Sequence, residues 1–159
     1  MDGRSFKASE DSKEMRHPTR DIANPLHVAA LKGQVALVKY FIEEQGIEPS
    51  VVDQDGVDTL HCVAWSGSVP LVKYLMAKCK LDPRTNNKDG KNSVHVAATN
   101  GRIEMVKYFI EECHVDPHIL DEDGADVLHS ASWNGSIPLV KYLMNVHKSD
   151  PRYVRKVCK

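Results

Sequence analysis

The fold is decided by the heptapeptide Asn24-Pro25-Leu26-His27-Val28-Ala29-Ala30, because variants of it return three more times along the chain. The returning dipeptides are Leu60-His61, Val94-His95 and Leu128-His129, so successive histidines are 34 residues apart. Each histidine is followed by a glycine and then by a Val-Lys-Tyr tripeptide at the same spacing. Self-similarity at a fixed period of ~20–50 residues indicates a protein built from stacked repeats.

Each unit reads as a helix, a turn, a second helix and a projecting loop. The first helix begins after a side chain that can cap its free amides, and these are Asn24, Asp58, Asn92 and Asp126. It ends at Gly33, Gly67, Gly101 and Gly135. An apolar stripe predicts the second helix, and Asp-Gly pairs predict tight turns in the loops of three units, at 55–56, 89–90 and 123–124. One unit has too little core to fold alone, so neighbours must stack.

These motifs resemble the ankyrin-repeat family from about Ile22 to Pro151. The heptapeptide is similar to the family's Thr-Pro-Leu-His-x-Ala-Ala opening, and the glycine and Val-Lys-Tyr helix are similar to its second half. The resemblance implies an all-α fold, an ankyrin-repeat α-solenoid of stacked helix-turn-helix units with projecting β-hairpin-like loops. The expected domain is 21–159, with units at about 24–57, 58–91, 92–125 and 126–159. Segment 1–20 is polar and predicted to be disordered, or to form a partial cap through Phe6 and Met15.

Two departures from the family pattern are visible. The family period is usually about 33, so we expect one extra residue between the second helix and the Asp-Pro loop. The tetratricopeptide repeat, with a period of about 34, is the rival interpretation, but it lacks the Leu-His-x-Ala-Ala opening and the Asp-Gly loop. Units one and three also resemble each other, as do units two and four, which share Trp65 and Trp133. The duplicated element is therefore predicted to be a pair of units.

Composition is that of an ordinary soluble domain. The chain has 159 residues, 42% of them hydrophobic, and a net charge of −1. This balance gives no reason to expect nucleic acid or an anionic membrane as the main partner, and no run approaches the ~18 apolar residues of a membrane span. The four cysteines, Cys62, Cys79, Cys113 and Cys158, occur singly. We therefore expect a reducing, intracellular compartment, the cytoplasm.

No pattern predicts catalysis. The repeat histidines lie one unit apart, roughly 10 Å by helix-packing distances, so they cannot share a metal ion, and we expect them to bond backbone and brace adjacent loops. Asp53, Asp55 and Asp58 are similar to a calcium loop, but the glycine is misplaced for one. Phosphate loops and nucleophile elbows do not occur in the sequence. The expectation is no enzyme, no cofactor and no metal.

The variable positions carry the functional prediction. In the ankyrin family, the end of the first helix and the loop tips line a concave groove and usually contact partners. Carried onto this chain, the predicted contact residues are Leu31, Lys32, Gln54, Asp55, Val57, Trp65, Ser66, Lys88, Asp89, Lys91, Thr99, Asn100, Glu122, Asp123, Ala125, Trp133 and Asn134. Tryptophan is enriched in interface hot spots, although each Trp could instead pack on its neighbouring unit. With Arg84, Lys88 and Lys91, the loops run acidic, basic, acidic.

The expected function is non-catalytic binding of a protein partner, as a scaffold or adaptor, by a monomer. The alternative is a structural or self-associating spacer, or a fragment of a longer array. It rests on the last unit, whose second helix keeps the apolar set of internal units, Leu139, Val140, Leu143 and Met144, ahead of a basic tail. A terminal cap carries a polar outer face, so this C-terminal face is predicted to be uncapped.

Overall fold

The computed structural model describes residues 24–148, with side chains as far as residue 146. Four consecutive helix pairs make up this part of the chain. The first helices are α1 (Pro25–Leu31), α3 (Thr59–Ser66), α5 (Ser93–Thr99) and α7 (Val127–Asn134). The second helices are α2 (Val35–Lys39), α4 (Val69–Cys79), α6 (Ile103–Lys107) and α8 (Ile137–Lys148). The described residues contain no strand, and the predicted all-α solenoid is confirmed.

A reciprocal cap begins the first helix of units two, three and four. In unit two, the Asp58 carboxylate accepts from the His61 amide at 2.9 Å, and the His61 Nδ1 accepts from the Asp58 amide at 3.3 Å. The repeat histidine thus takes the place of the usual Glu or Gln of a capping box. The same box is formed by Asn92 with His95 and by Asp126 with His129. In unit one, Asn24 accepts from the Leu26 amide at 2.8 Å.

The repeat histidines of units one to three also tie each first helix to the loop of its own unit. The Nε2 atoms of His27, His61 and His95 lie 3.2, 3.1 and 3.0 Å from the backbone oxygens of Val51, Lys91 and Ile119. Each acceptor belongs to the loop that leads into the next unit, so the predicted structural role of the histidines is confirmed. Burial lowers the pKa of His27 and of His95, which keeps these two rings neutral.

The extra residue of the 34-residue period lies in the last turn of the second helix. α2 and α6 continue as π-helical turns, Tyr40–Glu44 and Tyr108–Glu112. Their closing bonds reach back five residues, from the Gln45 amide to the Tyr40 oxygen and from the Cys113 amide to the Tyr108 oxygen, both at 3.1 Å. In unit two the Lys80 amide reaches back to Leu75 in the same way. This position adjoins the expected place between the second helix and the Asp-Pro loop, since the wider π turn can take up one more residue at the helix end.

Stacked side chains explain the Val-Lys-Tyr motif. Its valines, Val38, Val72 and Val106, are fully buried. Its lysines and tyrosines join successive second helices, because Lys39, Lys73 and Lys107 lie 5.2, 5.4 and 5.4 Å above the rings of Tyr74, Tyr108 and Tyr142. The pairwise duplication is also visible here. Tyr74 donates to Glu43 and Tyr142 to Glu111, both at 2.7 Å, whereas unit two has alanine at the glutamate position.

The core is continuous from unit to unit. α1 packs on α3, α3 on α5, and α5 on α7, through small buried residues such as Ala64 and Ala98. In the last unit Leu139 and Leu143 are fully buried, whereas Met144 is 40% exposed. Within 24–148, none of the helices has the length and apolar character needed to cross a bilayer. Segment 1–20 and the basic tail lie outside the described residues.

Candidate protein-binding surface

Each loop tip is organised by one side chain at its base. In the third loop, the Asp121 Oδ1 accepts from the amides of Asp123 and Ala125, both at 2.9 Å, and the Asp121 amide donates to the Ala125 oxygen at 2.9 Å. Asp53 and Asn87 make the corresponding bonds in the first two loops. A side chain that accepts from amides two and four residues ahead holds a tight turn. These residues are therefore explained by loop structure.

Successive tips are joined through their backbones. The Lys88 amide donates to the Asp55 oxygen at 2.9 Å, and the Glu122 amide donates to the Asp89 oxygen at 3.0 Å. Gly90 permits this approach: its φ is +76°, and a Cβ there would lie 2.8 Å from the Glu122 nitrogen. Only glycine accepts both the left-handed backbone and the close neighbour. The three tips consequently form one continuous row.

The ends of the first helices form a second row. A Cβ at Gly33 would lie 3.5 Å from the Ser66 hydroxyl of the next unit, and a Cβ at Gly101 would lie 2.6 Å from the Asn134 side-chain oxygen. Each glycine thus leaves space for a polar residue of the following unit. Two rows, the tips and the helix ends, carry the predicted contact residues.

Burial removes four of those residues from the predicted contact set: Leu31, Val57, Lys91 and Thr99, which are 7, 8, 6 and 9% exposed. The first two pack in the core. Thr99 donates its hydroxyl to the His95 backbone oxygen at 2.9 Å. Lys91 forms an ion pair with Asp121, whose side chain is fully buried. With so little accessible surface, these four residues can offer a partner little contact area.

The other thirteen predicted residues keep accessible surface. Seven are exposed: Lys32, Gln54, Lys88, Glu122, Asp123, Trp133 and Asn134. Six are half-buried: Asp55, Trp65, Ser66, Asp89, Asn100 and Ala125. We refer to these thirteen residues as the candidate surface.

The two tryptophans differ in exposure. Trp65 is half-buried and packs against the core, and its backbone oxygen accepts from the Arg102 Nε at 2.9 Å. Trp133, at the equivalent position two units on, is 56% exposed. Trp65 therefore packs on the core, whereas Trp133 offers accessible aromatic surface.

Charge along the tips also differs from the expectation. The Arg84 side chain is 47% exposed, and its guanidinium pairs with the Asp82 carboxylate at 3.3 Å and donates to the Cys113 backbone oxygen at 2.6 Å and to that of His114 at 3.4 Å. It thereby satisfies carbonyls at the end of the unit-three helix. Lys91 is buried, so only Lys88 remains as a basic tip residue. The tips also carry Asp55, Asp89, Glu122 and Asp123. The middle tip therefore carries less accessible positive charge than expected, and acidic side chains outnumber basic ones along the row.

Two apolar residues beside the tips were missed by the sequence reasoning. Val52 and Leu120 occupy equivalent positions two units apart and are 50 and 46% exposed. Each immediately precedes the side chain that organises a tip. The sequence contains a signal for them, because unit two has the polar Asn86 at the same position. A large aliphatic side chain in a solvated loop is unusual and can indicate a contact site.

The reactive side chains of the described region serve structural roles. Cys62, Cys79 and Cys113 are free thiols, and burial raises the pKa of each, which makes them weak nucleophiles at neutral pH. The Asp58 pKa is lowered: burial alone would raise it, but the adjacent His61 ring and the hydrogen bonds from the amides of His61 and Leu60 outweigh that effect. Between residues 24 and 146, no three His, Cys, Asp or Glu side chains are grouped so as to hold a metal ion.

Comparison with known proteins agrees with this architecture. The family model for ankyrin repeats (three copies) matches residues 8–85 and 60–153. The chain belongs to the ankyrin-repeat family. A similar solved chain occurs in the crystal structure of the yeast ribosomal protein Rps3 in complex with its chaperone Yar1, with 21% identity and a TM-score of 0.68, covering 79% of this chain and 93% of that one. No curated protein matches in sequence. Ankyrin repeats generally act as protein-interaction modules, and the identity to the solved chain supports the fold alone.

Proposed function

We propose that this ankyrin-repeat protein binds a partner protein through the candidate surface, without catalysis, and that the partner presents a basic segment to the loop tips. The observation that carries the proposal is that Lys91 is buried in its pair with Asp121 and Arg84 is paired with Asp82, so that acidic side chains outnumber basic ones along the row of tips. Complementary charge raises association rates and suppresses wrong partners. A basic segment is therefore the chemistry that this row would recognise.

The apolar part of the contact would come from Trp133. An indole that is 56% exposed offers a large amphipathic contact area. Val52 and Leu120 would add aliphatic area beside the acidic tips. Such a combination, an aromatic anchor with a charged rim, is the usual anatomy of a protein–protein interface.

The preformed geometry of the tips supports tight recognition. The tips are held by side-chain bonds at their bases and by backbone bonds between neighbours. A surface that is already ordered loses little conformational entropy when it binds. We further propose an intracellular, cytoplasmic location, supported by the free thiols of the described cysteines.

The test compares captured proteins for four immobilised forms of the full chain: wild type, Glu122→Lys, Trp133→Ala and Glu112→Lys. The last is the matched control, because Glu112 is also exposed but lies on the second-helix side. We expect the same captured protein with wild type and Glu112→Lys, and a loss of at least about tenfold with the two surface variants. Circular dichroism checks that all four keep their helicity. Equal capture by Glu122→Lys and Glu112→Lys would contradict the charge argument, and undiminished capture by Trp133→Ala would remove the aromatic anchor.

A further inference from the structure

The first unit exposes side chains at positions that are buried or half-buried in the other units. Leu37 is 39% exposed, whereas its equivalents Leu71, Met105 and Leu139 are 0, 1 and 0% exposed. A similar contrast holds for Val28, at 37%, against 0% for Cys62. Inside the stack these positions pack on the preceding unit. We call Val28, Leu37 and Tyr40 the leading face.

The fourth unit exposes the complementary positions. Ile137 is 66% exposed, whereas its equivalents Val69 and Ile103 are half-buried against the core. The His129 side chain is 66% exposed, but the equivalent His61 is only 2% exposed because it reaches the next loop. We call His129, Ile137, Lys141 and Met144 the trailing face. In internal units these positions pack on the following unit.

The junction between units two and three shows how these faces fit. There, Lys73 lies 5.4 Å above the Tyr108 ring, and the Met76 sulfur lies 3.9 Å from the Cys113 sulfur. Unit four is a near copy of unit two, and unit one is a near copy of unit three. The trailing face therefore keeps the residues of unit two, with Ile137 for Val69. The leading face keeps Tyr40 and Val28 from the pattern of unit three, with Leu37 for Met105.

We propose that a second copy of this chain occupies the trailing face, with its leading face stacked there in the geometry of the junction between units two and three. Lys141 would then lie above Tyr40 of the second copy, Met144 would lie beside its Gln45, and Ile137 would cover its Leu37. The contact is heterologous, and because it continues the solenoid it does not close. Such contacts produce linear assemblies.

The contact between copies is weaker than its internal template. At the internal junction the Arg102 Nε donates to the Trp65 oxygen at 2.9 Å, whereas unit one has the shorter Gln34 at that position. Association is therefore concentration-dependent, and it uses a surface separate from the acidic tips.

The test measures the mass of the full chain by light scattering over a range of concentrations. We expect wild type to rise above the 17.8 kDa of one chain as concentration increases. Leu37→Glu destroys the leading face and Ile137→Glu the trailing face, so each variant alone stays at the mass of one chain. Their equimolar mixture retains one intact face of each kind and forms a dimer that does not grow. Val51→Glu is the matched control, since it adds the same charge at a residue that is 46% exposed but belongs to neither face and not to the candidate surface.

Three results would overturn the proposal. Wild type that keeps the mass of one chain at every concentration shows that the faces do not associate. A dimer formed by either variant alone shows a contact between two like faces. Loss of association in Val51→Glu shows non-specific apolar contact. Circular dichroism verifies folding, and Tyr40→Glu, at a residue that is 43% exposed, replaces Leu37→Glu if that variant unfolds.

Discussion

The buried ion pair of Lys91 with Asp121 can be tested by a substitution that the chain itself supplies. The two side chains are 7 and 0% exposed, and their charged atoms are 2.5 Å apart. One unit earlier the equivalent positions are Val57 and Asn87, which carry no charge. We therefore compare Lys91→Val, Asp121→Asn and the double variant.

The expected magnitudes follow from burial. Removing one partner of a buried pair costs ~3–5 kcal/mol, because the other charge stays desolvated. Asp121 keeps two amide bonds at its other oxygen, so Lys91→Val should lie at the lower end of that range, about 3 kcal/mol. For a chain of this size that corresponds to a fall in melting temperature of ~6–12 °C. The double variant reproduces the neutral pair of the preceding unit and should lie within ~1 kcal/mol of wild type.

The assay is urea unfolding followed by circular dichroism and tryptophan fluorescence. Acid adds an independent check. Burial alone would raise the Asp121 pKa, but the bonds from Lys91 and from the amides outweigh it and hold the pKa below the ordinary range of an aspartate. The stability that depends on this carboxylate is present above the unfolded pKa and is lost as pH falls through the folded pKa. The deficit of Lys91→Val should therefore shrink below about pH 4, the usual pKa of an unfolded aspartate. Additive losses in the double variant, with no coupling between the two positions, would refute the reasoning.

Three further substitutions test other local features. Thr59→Pro should stabilise by ~0.5–1 kcal/mol in urea unfolding, because it removes a buried hydroxyl without a hydrogen-bond partner and presets the first helical residue; a loss would show that the Thr59 hydroxyl contributes to folding. Lys80→Gly should stabilise by about 0.5–1 kcal/mol, since its φ of 59° strains a side chain, and an unchanged melting curve would contradict that strain. Burial lowers the His95 pKa, so the contribution of this ring to stability is present above the unfolded histidine value of about 6.5 and is lost as pH falls towards the folded pKa. Asn92→Asp places a carboxylate beside that ring, and stability measured from about pH 7 to 5 should fall less than in wild type; an equal fall would exclude His95 as the cause.

The repeat frame could be predicted from sequence because its signals are local. The caps need only an Asn or Asp followed three residues later by the repeat histidine, as at Asp58 and His61. The fixed interval between the repeat histidines also implies that each of them makes the same contact with the backbone of a loop. The bond from the histidine to the loop follows from that regularity. When the cap occupies the Nδ1 atom of the ring, as in His61, the Nε2 atom is left to bond the loop backbone.

The role of each basic side chain could not be predicted from sequence, because it depends on a partner about one unit away. Arg84 meets a helix end 29 residues later in the chain, and Lys91 meets a carboxylate 30 residues later. Sequence position alone placed both on projecting loops. Trp133 is exposed and Trp65 is packed because the residues around them differ, and this difference also depends on the three-dimensional structure. The count of residues per unit revealed an insertion, but the hydrogen-bond pattern that locates it in a π turn exists only in three dimensions.

The π turns at Tyr40–Glu44 and Tyr108–Glu112 have a consequence for recombining arrays. Each turn takes up one residue at the end of a helix. The helices before it and the loop after it can therefore keep their positions, and the loop tip can still bond the backbone of the neighbouring tip. Unit length is therefore not what makes two modules compatible. Modules of different length can be spliced in one engineered array, provided that the spliced tips present matching amide and carbonyl groups.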